Sequence, residues 1–341
     1  MFKKAPDFWW RTWPSLTAVL LFPFSLFYGL ISGLRMFKAP RASAFIPVIC
    51  VGNFTVGGTG KTPFSLMLWE HLHKMGHNPA FLLRGYGGRL KGPVEVDVKR
   101  HRYTDVGDEA LLLARKAMTI VSADRPKGAK LAEQLGATII IMDDGFQNPS
   151  LKKDLSIILV DSETAIGNGL CTPAGPLRAP MWAQMAKADL VISVGGAKRS
   201  AAVINRAKAK NIATDQAHIA PMFTSGIDGE DVLAFAGIGR PQKFFNSVEE
   251  AGATIKQRIE FPDHHPFSTE EAEALYLAAL EHDLLPVTTS KDFVRLKHNE
   301  DTMISKLTAK TAVLEIEMKM DDGKALADAI DLLPNQLYSN K

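Results

Sequence analysis

The sequence predicts an α/β protein: a parallel sheet covered by helices on both faces, an N-terminal membrane helix, and a second, smaller α/β domain. Three observations carry this. Apolar runs rich in Val and Ile (FIPVICVGNF, MTIVSADR, ATIIIMDDGFQ, LSIILVD, DLVISVGG) alternate with segments of helical spacing. They lack polar-out alternation, which marks strands buried on both faces. No charged residue occurs from Thr12 to Leu34, a length that can span a bilayer as a helix. Near residue 220 the pattern changes, and the strand–helix alternation then restarts with its own glycine turn.

At 341 residues the chain exceeds one ordinary core,. The expected division is a hydrophobic segment over 1–37, a large α/β domain over 38–225, a smaller one over 226–320, and a closing helix and tail over 321–341. A net charge of +3 gives no global signal for nucleic acid, and no protein partner is evident. Cys50 and Cys171 lack CxxC or metal-ligand spacing, which fits a reduced compartment and two buried thiols.

At the N-terminus Trp9, Trp10 and Trp13 gather at one end of the apolar stretch, where amphipathic rings favour the headgroup level. Lys3, Lys4 and Arg11 precede it and Arg35, Lys38 and Arg41 follow, so the positive-inside rule sets no orientation. No A-x-A-like cleavage site follows, which argues against a signal peptide. Pro23 and Gly29 weaken a straight span, leaving a segment lying in the cytoplasmic leaflet as an alternative. A buried core helix is the plainer reading. Membrane association is the expectation, with topology open.

The segment VGNFTVGGTGKTP lies between the first strand and the helical TPFSLMLWEHLHKMGH. Thr55, Val56, Gly57, Gly58, Thr59, Gly60, Lys61 and Thr62 read as a phosphate-binding loop. In such loops backbone N–H groups and a helix N-terminus converge on phosphate oxygens. Lys61 is expected on the β- and γ-phosphates of ATP, and the Thr62 hydroxyl on Mg²⁺. The usual opening glycine is Thr55 here. A glycine turn that merely packs the helix is the rival, set aside because the strand–helix context is the one the motif requires.

ATIIIMDDGFQ ends a strand in Asp143 and Asp144, the place for a carboxylate beside Mg²⁺. One of the two is expected on the metal or its water shell; taken alone, the pair is also a plain Asp-Asp-Gly turn. Asp108 precedes a helical run, where N-capping explains it equally well, and Asp105 has a similar claim. His264 and His265 are adjacent, without the spacing to share a metal face. Lys291 and Asp292 in TTSKD close a strand at an expected interdomain edge. TTSKD is not the guanine-reading N-K-x-D, which argues against a GTPase.

Taken together the segments resemble the tetraacyldisaccharide 4′-kinase family, the lipid A 4′-kinases of Gram-negative bacteria. VGNFTVGGTGKTP, LLRGYGG, DVGDEALLLA, IIIMDDGFQ, GNGLCTPAGPLRAP, AFAGIGRPQKFF, FPDHHPF and TTSKD occur in the family's order and cover almost the whole chain. The family's loop opens V-G-N-x-T, so Thr55 is expected there. The resemblance implies transfer of the ATP γ-phosphate to the 4′-hydroxyl of a tetraacylated glucosamine disaccharide 1-phosphate, by an enzyme on the cytoplasmic face of the inner membrane. It also implies a P-loop kinase domain over 38–225, a short β linker to the smaller domain, and Asp108 with His264 as a catalytic base pair.

On that reading Asp108 accepts the hydroxyl proton and His264 orients it, while Lys61 and the loop amides hold the phosphoryl group. Arg84 and Arg178 are candidates for contact with the acceptor's 1-phosphate or ATP, with surface salt bridges as the alternative. Phe22, Phe24, Phe27 and Tyr28 are offered to the acyl chains. The rivals are a membrane-associated switch ATPase, against which Val56 stands where that class carries lysine, and a soluble small-molecule kinase or ligase.

Overall fold

The computed structural model describes residues 5–196, 199–222, 226–297 and 301–333. Lys3, Lys4 and the tail from 334 lie outside the described residues. Helix α1 (Leu16–Met36) begins at Ser15, whose hydroxyl accepts the Ala18 N–H, and carries Pro23 inside it. Its buried residues, Ala18, Ser25, Gly29, Gly33 and Met36, recur at helical spacing and form one inward stripe. The two glycines let the backbone approach closely: a Cβ on Gly29 would lie 3.3 Å from Cys171 Sγ, and one on Gly33 3.4 Å from Pro180. Ser25 donates to the Cys171 carbonyl at 2.7 Å, and Phe37 stacks on Trp182. The rest of α1 is exposed and apolar. Its mean hydropathy is 1.8 with 22% of the apolar window buried, too little for a core helix, and its length and composition suffice to cross a membrane.

The large sheet is laid down by β1 (Val48–Asn53), α2 (Lys61–Lys74), β2 (Pro79–Leu83), β3 (Val94–Glu95), α3 (Tyr103–Val106), α4 (Asp108–Ala114), β4 (Thr119–Val121), α5 (Arg125–Gln134), β5 (Ile139–Asp143), β6 (Leu155–Asp161), α6 (Met181–Met185), β7 (Leu190–Val194), α7 (Ala201–Lys208) and β8 (Ala213–Pro221). A smaller unit follows: β9 (Asp231–Ala236), α8 (Pro241–Glu250), β10 (Thr254–Glu260), α9 (Thr269–Glu281), β11 (Leu285–Thr289), α10 (Ser290–Lys297), α11 (Thr302–Lys310) and β12 (Ala312–Leu314). The chain returns through β13 (Ile316–Met320) and α12 (Lys324–Asp331).

Nine strands form the large sheet in the order β13-β8-β7-β6-β1-β5-β2-β4-β3. All neighbours are parallel except the two edges, where β13 and β3 run antiparallel. The missing polar alternation has a direct cause: Val48 and Cys50 of β1 enter one core, Ile49 and Val51 the other. The four strands β10-β9-β11-β12 form the small, all-parallel sheet.

The small sheet closes at β12. Strand β13, inside the 226–320 span expected for the smaller domain, pairs instead with β8 of the large sheet, Ile316 opposite Pro221. Met318 on β13 and Leu326 and Ile330 on α12 join the core of the large sheet, and burying them fixes this return. Strands β8 and β13 thus form a two-stranded connection between the sheets.

Candidate active site

The phosphate loop leaves the carboxyl end of β1 at the centre of the large sheet, where open α/β sheets bind ligands. Thr55 is almost fully buried, bridges to Leu177, and does not have positive φ. No glycine is needed there, so a β-branched residue fits. Val56 N–H donates to the Pro176 carbonyl at 2.8 Å. Glycine is required further on, at Gly57 (φ 118°) and Gly60 (φ 80°), a region that L side chains avoid. Gly60 also faces the two-stranded connection, where its Cβ would lie 2.9 Å from Met318 Cε. Lys61 and Thr62 then open α2, with Thr62 buried.

Asp143 ends β5 beside Val51 of β1, and Asp144 turns into the left-handed region at φ 52°. The two carboxylates differ. Asp144 Oδ1 lies 3.7 Å from Lys61 Nζ and accepts from Arg178 Nη1 at 2.9 Å. Asp143 is buried, and its Oδ1 has no hydrogen-bond partner among the described residues. Burial and the Glu109 carboxylate push its acid up to about 7 despite Lys61. A buried, unpartnered carboxylate oxygen needs a proton or a cation. Thr59 Oγ1 and Asn53 Oδ1 are likewise buried without partners. Among the described residues no three His, Cys, Asp or Glu could hold a metal together. The set therefore fits a hard divalent cation held jointly with phosphate oxygens, not a cage made of protein alone.

Asp108 stands beside Glu109 at the start of α4. It is the first residue of α4; Gly107 is the N-cap, and no side chain caps that end. The capping role belongs instead to Asp105 on α3, which accepts the Arg102 N–H and pairs with Arg89. Freed from capping, Asp108 receives groups from the smaller unit. His264 Nδ1 lies 3.0 Å from its Oδ2, and Arg295 donates to the same oxygen from Nε at 3.0 Å and Nη2 at 2.5 Å. Burial opposes ionisation, but the His264 hydrogen bond and the Arg295 and Lys291 charges hold its carboxyl well below the usual range.

His264 adopts φ 59° and anchors its N–H on the Gly237 carbonyl at 3.1 Å. Positive φ on a non-glycine residue is costly and clusters at functional sites. The hydrogen bond that His264 donates to Asp108 raises the imidazole pKa against the effect of burial. Its ring faces Tyr86 at 5.5 Å, and Nε2 is 3.9 Å from Asp263 Oδ1. His265 turns away: its Nε2 binds Glu271 at 2.8 Å and its ring stacks on Phe261. A second contact crosses in parallel, Lys291 of α10 with Glu109 of α4.

Against known proteins, the family model described as tetraacyldisaccharide-1-P 4′-kinase matches residues 17–333. The chain belongs to the tetraacyldisaccharide 4′-kinase family. It is 45% identical over 316 residues to a protein of that name from Rhodopseudomonas palustris strain BisB5, covering 92% of this chain and 93% of that one. It is 50% identical over 295 residues to the namesake from Methylobacterium nodulans, covering 86% and 87%. Among solved structures, LpxK from Aquifex aeolicus, described as an "apo" form in complex with ATP, superposes with a TM-score of 0.71 at 26% identity. It covers 93% of this chain and 99% of that one.

Within this 4′-kinase family member the residues expected from sequence separate into groups. Lys61, Asp144 and Arg178 form one ion-paired unit; Arg178 also donates Nε to the Thr55 carbonyl at 3.0 Å. That binds Arg178 to the loop itself. Arg84 is exposed in the turn after β2. The sequence pattern does not point to Arg295 or Glu109, and it gives Lys291 no role. The signal for Arg295 lies in SKDFVRLK: Asp292 and Arg295 stand at i,i+3, and both are buried along with Val294 and Leu296, an odd place for charges unless they are paired.

Proposed function

We propose that this protein is an ATP-dependent kinase that transfers the γ-phosphoryl group to the 4′-hydroxyl of an acylated glucosamine disaccharide 1-phosphate, in lipid A biosynthesis at the cytoplasmic face of the inner membrane. The observation that carries the reading is the Asp108–His264 contact, one partner from each sheet's domain, next to Glu109, which pairs with Lys291. A switch ATPase has no need of such an acid–base pair; an enzyme that deprotonates a hydroxyl does.

In this reading the amides of Gly57 to Thr62 and the Lys61 ammonium cradle the phosphates. Thr62 and Asp143 would hold Mg²⁺, with Asp144 kept in orientation by Lys61 and Arg178. A divalent ion held there would supply positive charge to offset that of the phosphates. The roles expected from sequence are exchanged, because donors already occupy the Asp108 oxygens: Asp108 keeps the His264 ring in place through Nδ1, and His264 takes the hydroxyl proton at Nε2, the division of labour of a base with an orienting carboxylate. Arg84 is available to the acceptor's phosphate. The exposed apolar surface of α1, including Phe22, Phe24, Phe27 and Tyr28, contacts the leaflet that holds the acceptor.

The test supplies Mg-ATP and the tetraacylated disaccharide 1-phosphate and follows the lipid by mass. Gain of one phosphate supports the reading. ATP consumption without lipid phosphorylation by folded protein overturns it.

A further inference from the structure

Arg295 lies 187 positions in sequence from Asp108, which it touches, and its side chain is 1% exposed. Its position is fixed from behind. Nη1 donates to Asp292 Oδ1 at 2.8 Å and to the Gly237 carbonyl at 3.0 Å, and Asp292 Oδ2 accepts from Thr289 Oγ1 at 2.6 Å. The remaining edge of the guanidinium, Nε and Nη2, is spent on a single oxygen, Asp108 Oδ2. With His264 on the same oxygen and the Glu109 N–H on Oδ1 at 2.8 Å, four donors converge on a carboxylate that offers about four lone-pair sites. Asp108 has little capacity left for an incoming proton.

We infer that Arg295 is a positioning residue that fixes the polarity of the dyad, locking Asp108 as the anion that orients His264 and leaving His264 Nε2 to take the substrate proton. The inference rests on the kinase reading and deepens it. The same Gly237 carbonyl that receives Arg295 Nη1 also receives the His264 N–H, so one backbone group aligns both partners of Asp108.

The groups facing His264 set the sign of the charge effect. Asp108 comes from α4 and Asp263 from its own loop; Arg295 comes from α10 and Tyr86 from the turn after β2. Glu109 and Lys291 form a mutual pair beside Asp108. Arg295 is the fixed cation that opposes the carboxylates' preference for imidazolium. Removing its charge raises the His264 pKa and moves the acid limb of the rate profile to higher pH. A residue that only fastened the two domains together would lower the rate at every pH and leave the limb where it was.

The experiment measures single-turnover phosphoryl transfer across pH for the wild type, Arg295→Gln and Arg295→Lys, and titrates the His264 imidazole by NMR in the same proteins. Gln keeps most of the volume and hydrogen-bonding capacity without the charge. The expected result is an upward shift of about one pH unit in both the limb and the His264 titration for Gln. Lys should return both to within a few tenths of the wild type while recovering only part of the rate, since it lacks the fork. An unmoved His264 titration in Arg295→Gln overturns the inference, as does an equal shift in Arg295→Lys. A wild type that leaves the lipid unphosphorylated overturns the kinase reading instead, and the NMR titration still reports on Arg295 independently.

Discussion

Lys291 of α10 places its ammonium on Glu109 Oε1 of α4, joining two residues 182 positions apart across the two domains. Burial works against the charged lysine, yet the Glu109 and Asp108 carboxylates hold its pKa above the ordinary value. Together with Arg295 on Asp108, it means that two cations one helical turn apart grip two consecutive acids at the start of α4. The smaller domain is thereby tied to the edge of the larger one that carries Asp108 and Glu109.

The pair is expected to act as a unit. Lys291→Met and Glu109→Gln should each lower stability, and the double variant should lose less than the sum, with a coupling of about 1–2 kcal/mol. Urea unfolding of the four proteins measures it. A coupling near zero would mean that the contact contributes nothing to the joining of the domains.

Loss of either dyad member should act on the chemical step. Asp108→Ala and His264→Ala are expected to lower turnover by about 10²–10⁴-fold while ATP affinity, set by the loop from Thr55 to Thr62, stays within about twofold of the wild type. Turnover with saturating ATP and calorimetric ATP binding separate the two quantities. Normal turnover in both variants would move the base elsewhere.

The legible parts of the site were those written in contiguous sequence. GGTGKT and IIIMDD each carry strand, turn and chemistry within a dozen residues, so the loop and the two acids could be found without a fold. Choosing between Asp143 and Asp144 needed the backbone, because φ 52° at Asp144 swings it toward Lys61 and Arg178. The family pattern points to His264 over the adjacent His265, and the turn there sends His264 to Asp108 and His265 to Glu271. Arg295 was hidden for another reason. Its partner is 187 positions away, and only the docking of α10 on α4 brings them together. Strand β13 was assigned to the smaller unit because sequence adjacency says nothing about which sheet buries Met318.

A second ionic contact between the domains gives a pH dependence. Buried Asp161, at the end of β6, pairs with Arg240 and Lys243 at the start of α8. Burial opposes its ionisation, but the two cations win and lower its pKa to about 2. A depressed carboxylate contributes stability that is complete above its unfolded value near 4 and is lost as pH falls toward 2. Asp161→Asn should therefore be less stable than the wild type at pH 7 by about 2 kcal/mol. The gap should narrow below pH 4. Urea unfolding of both proteins between pH 7 and pH 3 checks this, and a gap independent of pH would exclude the ionised pair as its source.

The surface of α1 predicts where the protein resides. Leu20, Phe24, Phe27 and Leu30 are each 60–69% exposed, so they contribute little to the fold, while Ser25, Gly29 and Gly33 on the opposite stripe hold the helix to the 171–182 segment. Returning such side chains from water to an apolar phase is worth about 1.5–3 kcal/mol each when burial is complete. Replacing the four with serine should leave unfolding within about 1 kcal/mol of the wild type, since surface substitutions seldom exceed that. Binding to phospholipid vesicles in a flotation assay should fall by more than about tenfold, a loss of 1.4 kcal/mol or more. Replacing Gly33 with leucine instead should act in the opposite sense, because its Cβ already meets Pro180 at 3.4 Å. That variant should loosen the helix from the protein and keep the vesicle binding. Vesicle binding unchanged by the four serines would show that α1 is not the surface that meets the membrane.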